Sequence, residues 1–360
     1  MNLRVPGPTP LPPYALEAMG RQMINHRGPE FEALYGQIVS WLKQFFETAQ
    51  DLFVLTASGT GGMEAALVNT LSPGDRVLAV NLGVFGRRFG TIAERYGIDV
   101  TWMNVTMGQA ADLAELAEML ASQGPFSAVL ITHNETSTGV TNPMEALCQV
   151  VRASGDPAPL LLVDSISGLG AIRLPQDVLG IDVVVAGSQK AWMAPPGLAF
   201  ISFGERAWQA YETASCPRFY FDLGNARRYA VRNQTPATPN VPALYALHAS
   251  LERMAEEGVQ AVHDRHKKIG DHCRHLAVEA GLNLYAAEGV RSNTVTALTL
   301  PDGLDSKWML SELRTRYGIV CASGRDPSVD MIRIGHMGYV SEEDLDEVFA
   351  AMRTLLAEMM

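Results

Sequence analysis

The sequence predicts an α/β protein with a mostly parallel, doubly wound sheet and a smaller C-terminal α+β domain. The first observation behind this prediction is that short aliphatic runs alternate with helical apolar spacing between residues 51 and 203, as in parallel strands joined by covering helices. The predicted strands are Leu52 to Thr56, Val77 to Val80, Val129 to Thr132, Leu160 to Val163, Ile181 to Ala186 and Leu198 to Ser202. The predicted helices are Met63 to Leu71, Phe85 to Tyr96, Leu113 to Leu120 and Pro143 to Arg152.

The second observation is a change of pattern after about residue 240. A long helical stretch from Ala243 to Ala280, broken near Gly258, is followed by a mixture of strands and helices. These are a strand at Thr294 to Leu300, a helix at Lys307 to Tyr317, a strand at Met331 to Ile334 and a helix at Glu342 to Glu358. We therefore expect a large domain at 15–240 and a small domain at 241–360.

Residues 1–14 are expected to form an N-terminal arm outside the packed core. Proline fixes an extended path and removes backbone donors, and the arm is dense in it. The prolines are Pro6, Pro8, Pro10, Pro12 and Pro13.

Composition excludes several classes of function. The formal net charge of −11 removes the electrostatic basis for binding nucleic acid or an anionic membrane. There is no signal-peptide pattern and no apolar run of roughly 18 residues, so we expect a cytoplasmic protein. The cysteines lie far apart without Cys-x-x-Cys spacing, which argues against a disulfide framework and a metal site.

Two titratable residues follow predicted strands directly. Lys190 comes just after the strand that ends near Ala186, and Asp164 ends the strand that begins at Leu160. The carboxyl ends of strands in open α/β sheets are where ligands bind. Taken alone, the lysine could instead reach solvent from a buried strand, and the aspartate could cap a helix.

A glycine-rich turn connects the first predicted strand to the next helix. In Thr56-Ala57-Ser58-Gly59-Thr60-Gly61-Gly62, backbone N–H groups and hydroxyls can hold a phosphate at the helix N-terminus. The turn matches neither the Walker pattern nor the Rossmann glycine spacing. A single phosphate is the ligand that this turn favours.

Four motifs in this order resemble those of class V aminotransferases, and within them the alanine/serine–glyoxylate group. They are Ser58-Gly59-Thr60-Gly61, His133-Asn134-Glu135-Thr136-Ser137-Thr138-Gly139, Val163-Asp164-Ser165 and Gly187-Ser188-Gln189-Lys190-Ala191. The resemblance implies the pyridoxal-phosphate (PLP) fold type I and a homodimer. It also implies transamination between a small amino acid, alanine or serine, and a small 2-oxo acid, glyoxylate or pyruvate.

The resemblance also implies roles for individual residues. Lys190 binds the cofactor covalently, and Asp164 holds the ring nitrogen protonated, so that the ring absorbs charge from the substrate. The residues implied to hold the phosphate are Ser58, Gly59, Thr60 and Gln189.

Further implied contacts surround the cofactor ring. Phe85 stacks on the ring where some relatives carry Trp, Thr136 approaches the phenolic oxygen, and Ile166 packs under the ring. Thr235 and Thr238 reach the phosphate of the partner subunit, although some relatives carry Tyr at the position of Thr235.

Arg333 interrupts an apolar strand and is the candidate for holding the substrate carboxylate through its planar fork of donors. A structural salt bridge would satisfy the same side chain. For His26 and Arg27, two interpretations stay open, the mouth of the pocket and a solvated helix end.

Three other functions fit parts of the sequence less well. Cys321 raises the alternative of a cysteine desulfurase-like lyase, but Gly318 to Cys321 has the pattern of a buried strand. A non-catalytic PLP-binding regulator would bring a basic binding domain, and an NAD-dependent dehydrogenase would need the missing glycine fingerprint. Within the aminotransferases, aspartate and ureidoglycine stay open as donors.

Overall fold

The computed structural model describes residues 1–301, 303–325 and 329–359. The strands are β1 (Asn2–Leu3), β2 (Asp51–Leu55), β3 (Arg76–Asn81), β4 (Asp99–Asn104), β5 (Ala128–Thr132), β6 (Asn134–Glu135), β7 (Val140–Thr141), β8 (Leu160–Asp164), β9 (Val183–Gly187), β10 (Ala199–Phe203), β11 (Asn283–Leu284), β12 (Val295–Thr299), β13 (Ile319–Val320), β14 (Ala322–Ser323) and β15 (Met331–Gly335). The helices are α1 (Pro13–Met19), α2 (Pro29–Phe46), α3 (Gly59–Val68), α4 (Val84–Arg95), α5 (Leu113–Gln123), α6 (Met144–Ala153), α7 (Gln176–Leu179), α8 (Glu205–Tyr211), α9 (Leu223–Ala230), α10 (Val241–Glu257), α11 (Val259–Glu279), α12 (Ser306–Tyr317) and α13 (Glu342–Met359). None of the helices in these ranges is both long and apolar enough to cross a membrane.

The central sheet has seven strands in the order β2-β10-β9-β8-β5-β3-β4. β10 runs antiparallel to both of its neighbours, and the other neighbouring pairs are parallel. β10 follows β9 without an intervening helix, and a short connection of this kind suits an antiparallel pair. The prediction of a mostly parallel sheet is confirmed. The edge strand β4 was not predicted, because its sequence mixes polar residues into a mostly half-exposed pattern.

Both faces of the sheet are covered. Along β8, Leu161 and Val163 join the apolar cluster on the side of α2 and α10, whereas Leu160 and Leu162 join the cluster on the side of α3 and α4. Successive side chains of a strand point to opposite faces, so a continuous apolar run supplies both layers. The doubly wound architecture is confirmed by this division.

The C-terminal part is a smaller α+β unit. Its sheet has the order β11-β12-β15-β14 with antiparallel pairs, and α11, α12 and α13 share its apolar cluster. Helix α10 lies on the C-terminal side of the expected boundary, yet Leu244 and Leu247 belong to the cluster of the large sheet. The domain boundaries themselves stay a prediction.

The N-terminal arm is more integrated than expected. Asn2 and Leu3 form a strand parallel to Ile319–Val320, and the carbonyl of Arg4 accepts a hydrogen bond of 2.6 Å from the N–H of Gly335. The limits of the arm stay a prediction, but its first residues form a strand that the sequence did not indicate. Backbone hydrogen bonds to β13, and from Gly335 of β15 to Arg4, hold them beside the C-terminal unit, and the prolines follow toward the carboxyl edge of the large sheet.

Candidate active site

The site is organised by the ends of two neighbouring strands. Asp164 is the last residue of β8, and Lys190 lies three residues after the end of β9. The two strands are parallel partners, with Asp164 opposite Val185. The structure therefore brings the predicted carboxyl and amine to one edge of the sheet, and both side chains are buried there.

Asp164 is a buried carboxyl whose anionic form is destabilised. Burial raises its pKa to about 7, opposed by the backbone N–H of Ile166, which donates a 2.9 Å hydrogen bond to Oδ1. Within the described ranges, no cationic side chain lies within 4 Å of this carboxyl. A protonated pyridinium nitrogen would supply the missing positive partner, so this residue fits the cofactor.

Lys190 is a buried amine whose charged form is destabilised. Burial lowers the pKa of Lys190 to about 8, with a further contribution from the charge of Arg333 and an opposing one from Asp164. Its Nζ donates a hydrogen bond to the backbone carbonyl of Pro6. A neutral amine is the nucleophile that condenses with an aldehyde, so the environment suits covalent cofactor binding.

The N-terminal arm covers this lysine, which the sequence did not predict. A Cβ on Gly7, where φ is +126°, would lie 2.5 Å from Lys190 Nζ, so glycine lets the arm approach the amine closely. The hydroxyl of Thr9 donates a 3.0 Å hydrogen bond to the carbonyl of Lys190, and its N–H donates to the carbonyl of Gln189. A glycine between prolines was the available signal, but it did not indicate which segment the arm would meet.

The glycine-rich turn lies at the N-terminus of α3, where the sequence predicts a phosphate cradle. Ser58 caps α3 by accepting a 3.4 Å hydrogen bond from the N–H of Gly61. A Cβ on Gly59 would lie 2.6 Å from the Cδ1 of Ile166, so only glycine allows the turn to pack against this side chain. In the described part of the chain, the buried Oε1 of Gln189 has no hydrogen-bond partner and lies in the same corner beside Gly187. An amide oxygen only accepts hydrogen bonds, so the groups that could donate to a phosphate here are the amide NH₂ of Gln189, the Ser58 hydroxyl and the N–H groups at the start of α3.

Phe85 is positioned by a buried glutamate that the sequence analysis did not single out. Glu135 Oε2 accepts hydrogen bonds of 2.9 and 3.1 Å from the N–H groups of Phe85 and Gly86 in the first turn of α4. Its Oε1 accepts a hydrogen bond from the Ser137 hydroxyl, whose oxygen accepts one from the N–H of Val84. A carboxylate is favourable at a helix N-terminus. Glu135 could have been noticed in the sequence because it is the one acidic residue in the motif at 133–139.

Arg333 is in strand β15 and reaches the site from the C-terminal unit. Its Nη1 donates a 2.9 Å hydrogen bond to the carbonyl of Thr136, and its Nε donates a 2.8 Å bond to the carbonyl of Ser323. Burial lowers the pKa of Arg333 to about 10, with a further contribution from the charge of Arg325. In the described part of the chain it forms no salt bridge, so the structural alternative has no partner there.

Thr235 and Thr238 lie beside the cradle's entry strand. They line a small cavity of about 40 Å³ together with Thr56, and the Thr235 hydroxyl bonds to the carbonyl of Ala237 in its own turn. Arg27 donates a 2.5 Å hydrogen bond to the carbonyl of Thr235, so it holds this turn and is not a solvated helix end. His26, its neighbour, is partly buried.

A large surface cleft and a cysteine outside the predicted site were two other candidates for a functional site. A surface cleft of about 740 Å³, lined by residues such as Asn104 and Glu288, contains none of the predicted site residues. Cys321 is partly buried after β13, and burial raises the pKa of its thiol to about 12. A thiol of this kind is a poor nucleophile, which disfavours the desulfurase-like alternative.

Comparisons with known proteins agree with the sequence motifs. The chain is 39% identical to the soluble hydrogenase small subunit of Synechococcus sp., covering 99% of this chain and 93% of the relative. It is 36% identical to an L-aspartate–glyoxylate aminotransferase of Paracoccus denitrificans (99% and 91% covered) and 35% identical to a serine–glyoxylate aminotransferase of Methylorubrum extorquens (96% and 88%). The crystal structure of an alanine–glyoxylate aminotransferase from Nostoc sp. has a TM-score of 0.94 at 29% identity, covering 98% of this chain and 94% of that one.

The family assignment rests on nearly the whole chain. The family model of the class V aminotransferases matches residues 6–348, from the arm to the C-terminal helix. The structures of a cysteine desulfurase from Thermococcus onnurineus and of a NifS-like protein also match, but at 14% and 16% identity they show the fold alone. Because the family model spans both sheets and the relatives align over most of their own length, the chain belongs to the class V aminotransferases.

Proposed function

We propose that this protein is a PLP-dependent aminotransferase that exchanges an amino group between a small amino acid, alanine or serine, and a small 2-oxo acid, glyoxylate or pyruvate. The observation that carries the proposal is the pairing of a buried, low-pKa lysine with a buried, high-pKa carboxyl at adjacent strand ends. Perturbed groups of opposite kind in one site are typical of catalytic centres.

The side chains around this pair would hold the cofactor. Asp164 would face the ring nitrogen and Lys190 the aldehyde carbon, with Ile166 and Phe85 packed on the ring and Thr136 near its phenolic oxygen. The phosphate would lie against Ser58, Gly59, Thr60 and Gln189. The N-terminus of α3, which begins at Gly59, and the close packing of that glycine against Ile166 support this placement.

The chemistry divides between cofactor and protein. When bound, PLP supplies a conjugated cationic ring that absorbs the electron pair left by removal of a proton from substrate Cα. Lys190 Nζ is the base that accepts this proton and later returns it, and a pKa of about 8 suits both directions near neutral pH. The carbonyl of Pro6 accepts a hydrogen bond from Nζ and thereby limits the positions that the amine can adopt.

Arg333 would orient the substrate. It is a buried cation without an ionic partner in the described ranges, and two backbone carbonyls fix its guanidinium through Nη1 and Nε. The remaining donors of its planar fork match a carboxylate. With a single such clamp assigned, a small monocarboxylic amino acid is the substrate class we favour over aspartate.

We further propose a cytoplasmic homodimer in which Thr235 and Thr238 contact the phosphate bound to the partner subunit. In support, Arg27 holds the turn that carries both residues, and Thr238 is exposed and so accessible to a second subunit. Mixing Lys190→Ala with Thr238→Arg subunits should restore partial activity, because one hybrid site carries both faults and the other carries neither. A fully active monomer at assay concentration would contradict this arrangement.

The substrate proposal is tested by single half-reactions. PLP-loaded enzyme is mixed rapidly with alanine, serine, aspartate or ureidoglycine, and the loss of the visible cofactor absorbance and the oxo acid formed are measured. We expect alanine or serine to react with the highest kcat/KM, and glyoxylate or pyruvate to restore the absorbance. A wide preference for aspartate would contradict the proposed donor while leaving the cofactor chemistry in place.

A further inference from the structure

Arg88 lies beside the phosphate cradle and has no role in the function derived so far. It is on α4 three residues after Phe85, so the two side chains share a helix face. Its Nη1 donates a 3.3 Å hydrogen bond to the hydroxyl of Thr60, and its Cζ lies 4.8 Å from the centroid of the Phe85 ring. These two contacts aim the guanidinium at the cradle instead of at solvent.

The charge of Arg88 is not neutralised by the protein. Within the described ranges, no carboxylate lies within 4 Å of its nitrogens. Burial is the main cause of the pKa shifts of Asp164 and Lys190, and the charge of Arg88 contributes a lowering effect at both. The positive charge therefore acts inside the site.

The proposed phosphate ligands leave a charge to be balanced. Ser58, Gly59, Thr60 and Gln189 are all neutral, whereas a phosphate monoester carries close to two negative charges at pH 7. A partly buried anion among neutral donors is costly unless a cation is near. An arginine that already contacts one of those donors is in place to supply the charge.

We propose that Arg88 binds the phosphate group of the cofactor as the cationic member of the cradle. The proposal rests on the proposed function of the site, since it requires that the cradle take a phosphate. It assigns to Arg88 two simultaneous contacts, with the phosphate through the guanidinium edge and with Phe85 through its face. The second contact would fix the Phe85 ring and the Arg88 guanidinium relative to each other.

The neighbouring residue supplies a matched control. Arg87 is exposed, and its Cζ lies 5.4 Å from the ring centroid of Trp102, away from the cradle. Arg87→Ala removes the same charge from the same helix without touching the proposed contact. Arg88→Lys keeps the charge while removing the planar fork.

The experiment measures equilibrium binding of PLP and of pyridoxal, which lacks the phosphate, to cofactor-free enzyme. We expect Arg88→Ala to weaken PLP binding about tenfold to a hundredfold, the range of a charge-assisted hydrogen bond, and to leave pyridoxal binding unchanged. Arg88→Lys should lose less than Arg88→Ala, and Arg87→Ala should bind both like the wild type. Equal thermal midpoints of the cofactor-free variants exclude a folding defect.

Two results would overturn the proposal. Equal losses for PLP and pyridoxal would mean that Arg88 acts on the ring through Phe85, and unchanged PLP binding would mean that it has no contact with the phosphate. A wild type that binds PLP no better than pyridoxal would instead contradict the cradle itself, and with it the proposed function. The two failures are thus distinguishable.

Discussion

The carboxyl edge of the central sheet and the N-terminal arm contribute to the site in different ways. At the sheet edge, Asp164 and Lys190 follow directly from buried strands whose parallel pairing fixes their separation. The arm has no such register with the large sheet: its first residues pair with Ile319–Val320, and Thr9 bonds to Gln189 and Lys190. Residues at strand ends are therefore placed by the fold, whereas the arm is placed by a few specific contacts.

Lys190→Ala tests the part of the site at the sheet edge and has the largest expected effect. This change removes the residue proposed as covalent attachment and as base, so we expect kcat to fall by about 10⁴-fold or more. Borohydride reduction of wild-type enzyme should fix the cofactor to Lys190, as located by peptide mass. Lys267→Ala, which removes an exposed lysine paired with Asp271, is the control. Recovery of the reduced cofactor on another lysine would refute the assignment.

Arg333→Ala tests the proposed binding of the substrate carboxylate by the C-terminal unit. Loss of a bidentate, charge-assisted grip on the substrate should lower kcat/KM by about one to two powers of ten, or roughly 1.5–3 kcal/mol. PLP affinity should change little, because the hydrogen bonds of Arg333 go to the backbone carbonyls of Thr136 and Ser323 and not to a proposed phosphate ligand. If the variant lost PLP but kept normal kcat/KM when saturated with cofactor, Arg333 would be structural.

Gly7→Ala tests the arm with the sheet left intact. The added Cβ would lie 2.5 Å from Lys190 Nζ, so we expect the arm or the amine to shift and kcat to fall by up to about 10²-fold, the cost of a 1 Å misplacement in an active site. Gly289→Ala is the matched control, because its φ is +83° and nothing lies within 4 Å of the added atom. Both variants carry a backbone cost of about 1–2 kcal/mol. Equal activities would show that the arm does not position the lysine.

The smallest expected effect is in the pH dependence of cofactor capture. Burial lowers the pKa of Lys190 to about 8 from an ordinary 10.5, so the neutral, reactive amine increases as the pH rises through 8 and then levels off. The rate at which cofactor-free enzyme gains visible absorbance with PLP should follow this curve. At pH 7 about one lysine in ten is neutral. A rate that still rises steeply above pH 9 would mean that Lys190 is not shielded as described.

Sequence patterns predicted the parts of the site that depend on local periodicity. The runs before Asp164 and Lys190 were apolar at every position, which identifies strands buried on both faces and so locates their ends. Arg333 was identified because a cation inside an apolar strand needs a partner. Each of these inferences depends only on residues that are adjacent in the sequence.

Other site features depend on contacts between distant segments. Glu135 lies 50 residues from Phe85, whose N–H it binds, and Pro6 lies 184 residues from Lys190. No spacing rule connects such pairs, because the separation along the chain is unrelated to the distance after folding. Arg88 is intermediate, since its spacing from Phe85 was visible but its hydrogen bond to Thr60 was not.

The sequence by itself determined most of the central strands and the order of the motifs, because buried strands and glycine-rich turns have local chemical requirements, and the resemblance of those motifs to a family proposed the roles of Lys190 and Asp164. Tertiary structure decided what surrounds them. Burial from several segments shifts the pKa of Asp164 upward and that of Lys190 downward, and the arm closes over the amine because Asn2 and Leu3 pair with a strand more than 300 residues away. Electrostatic shifts and close approach depend on three-dimensional distance, which local patterns do not contain.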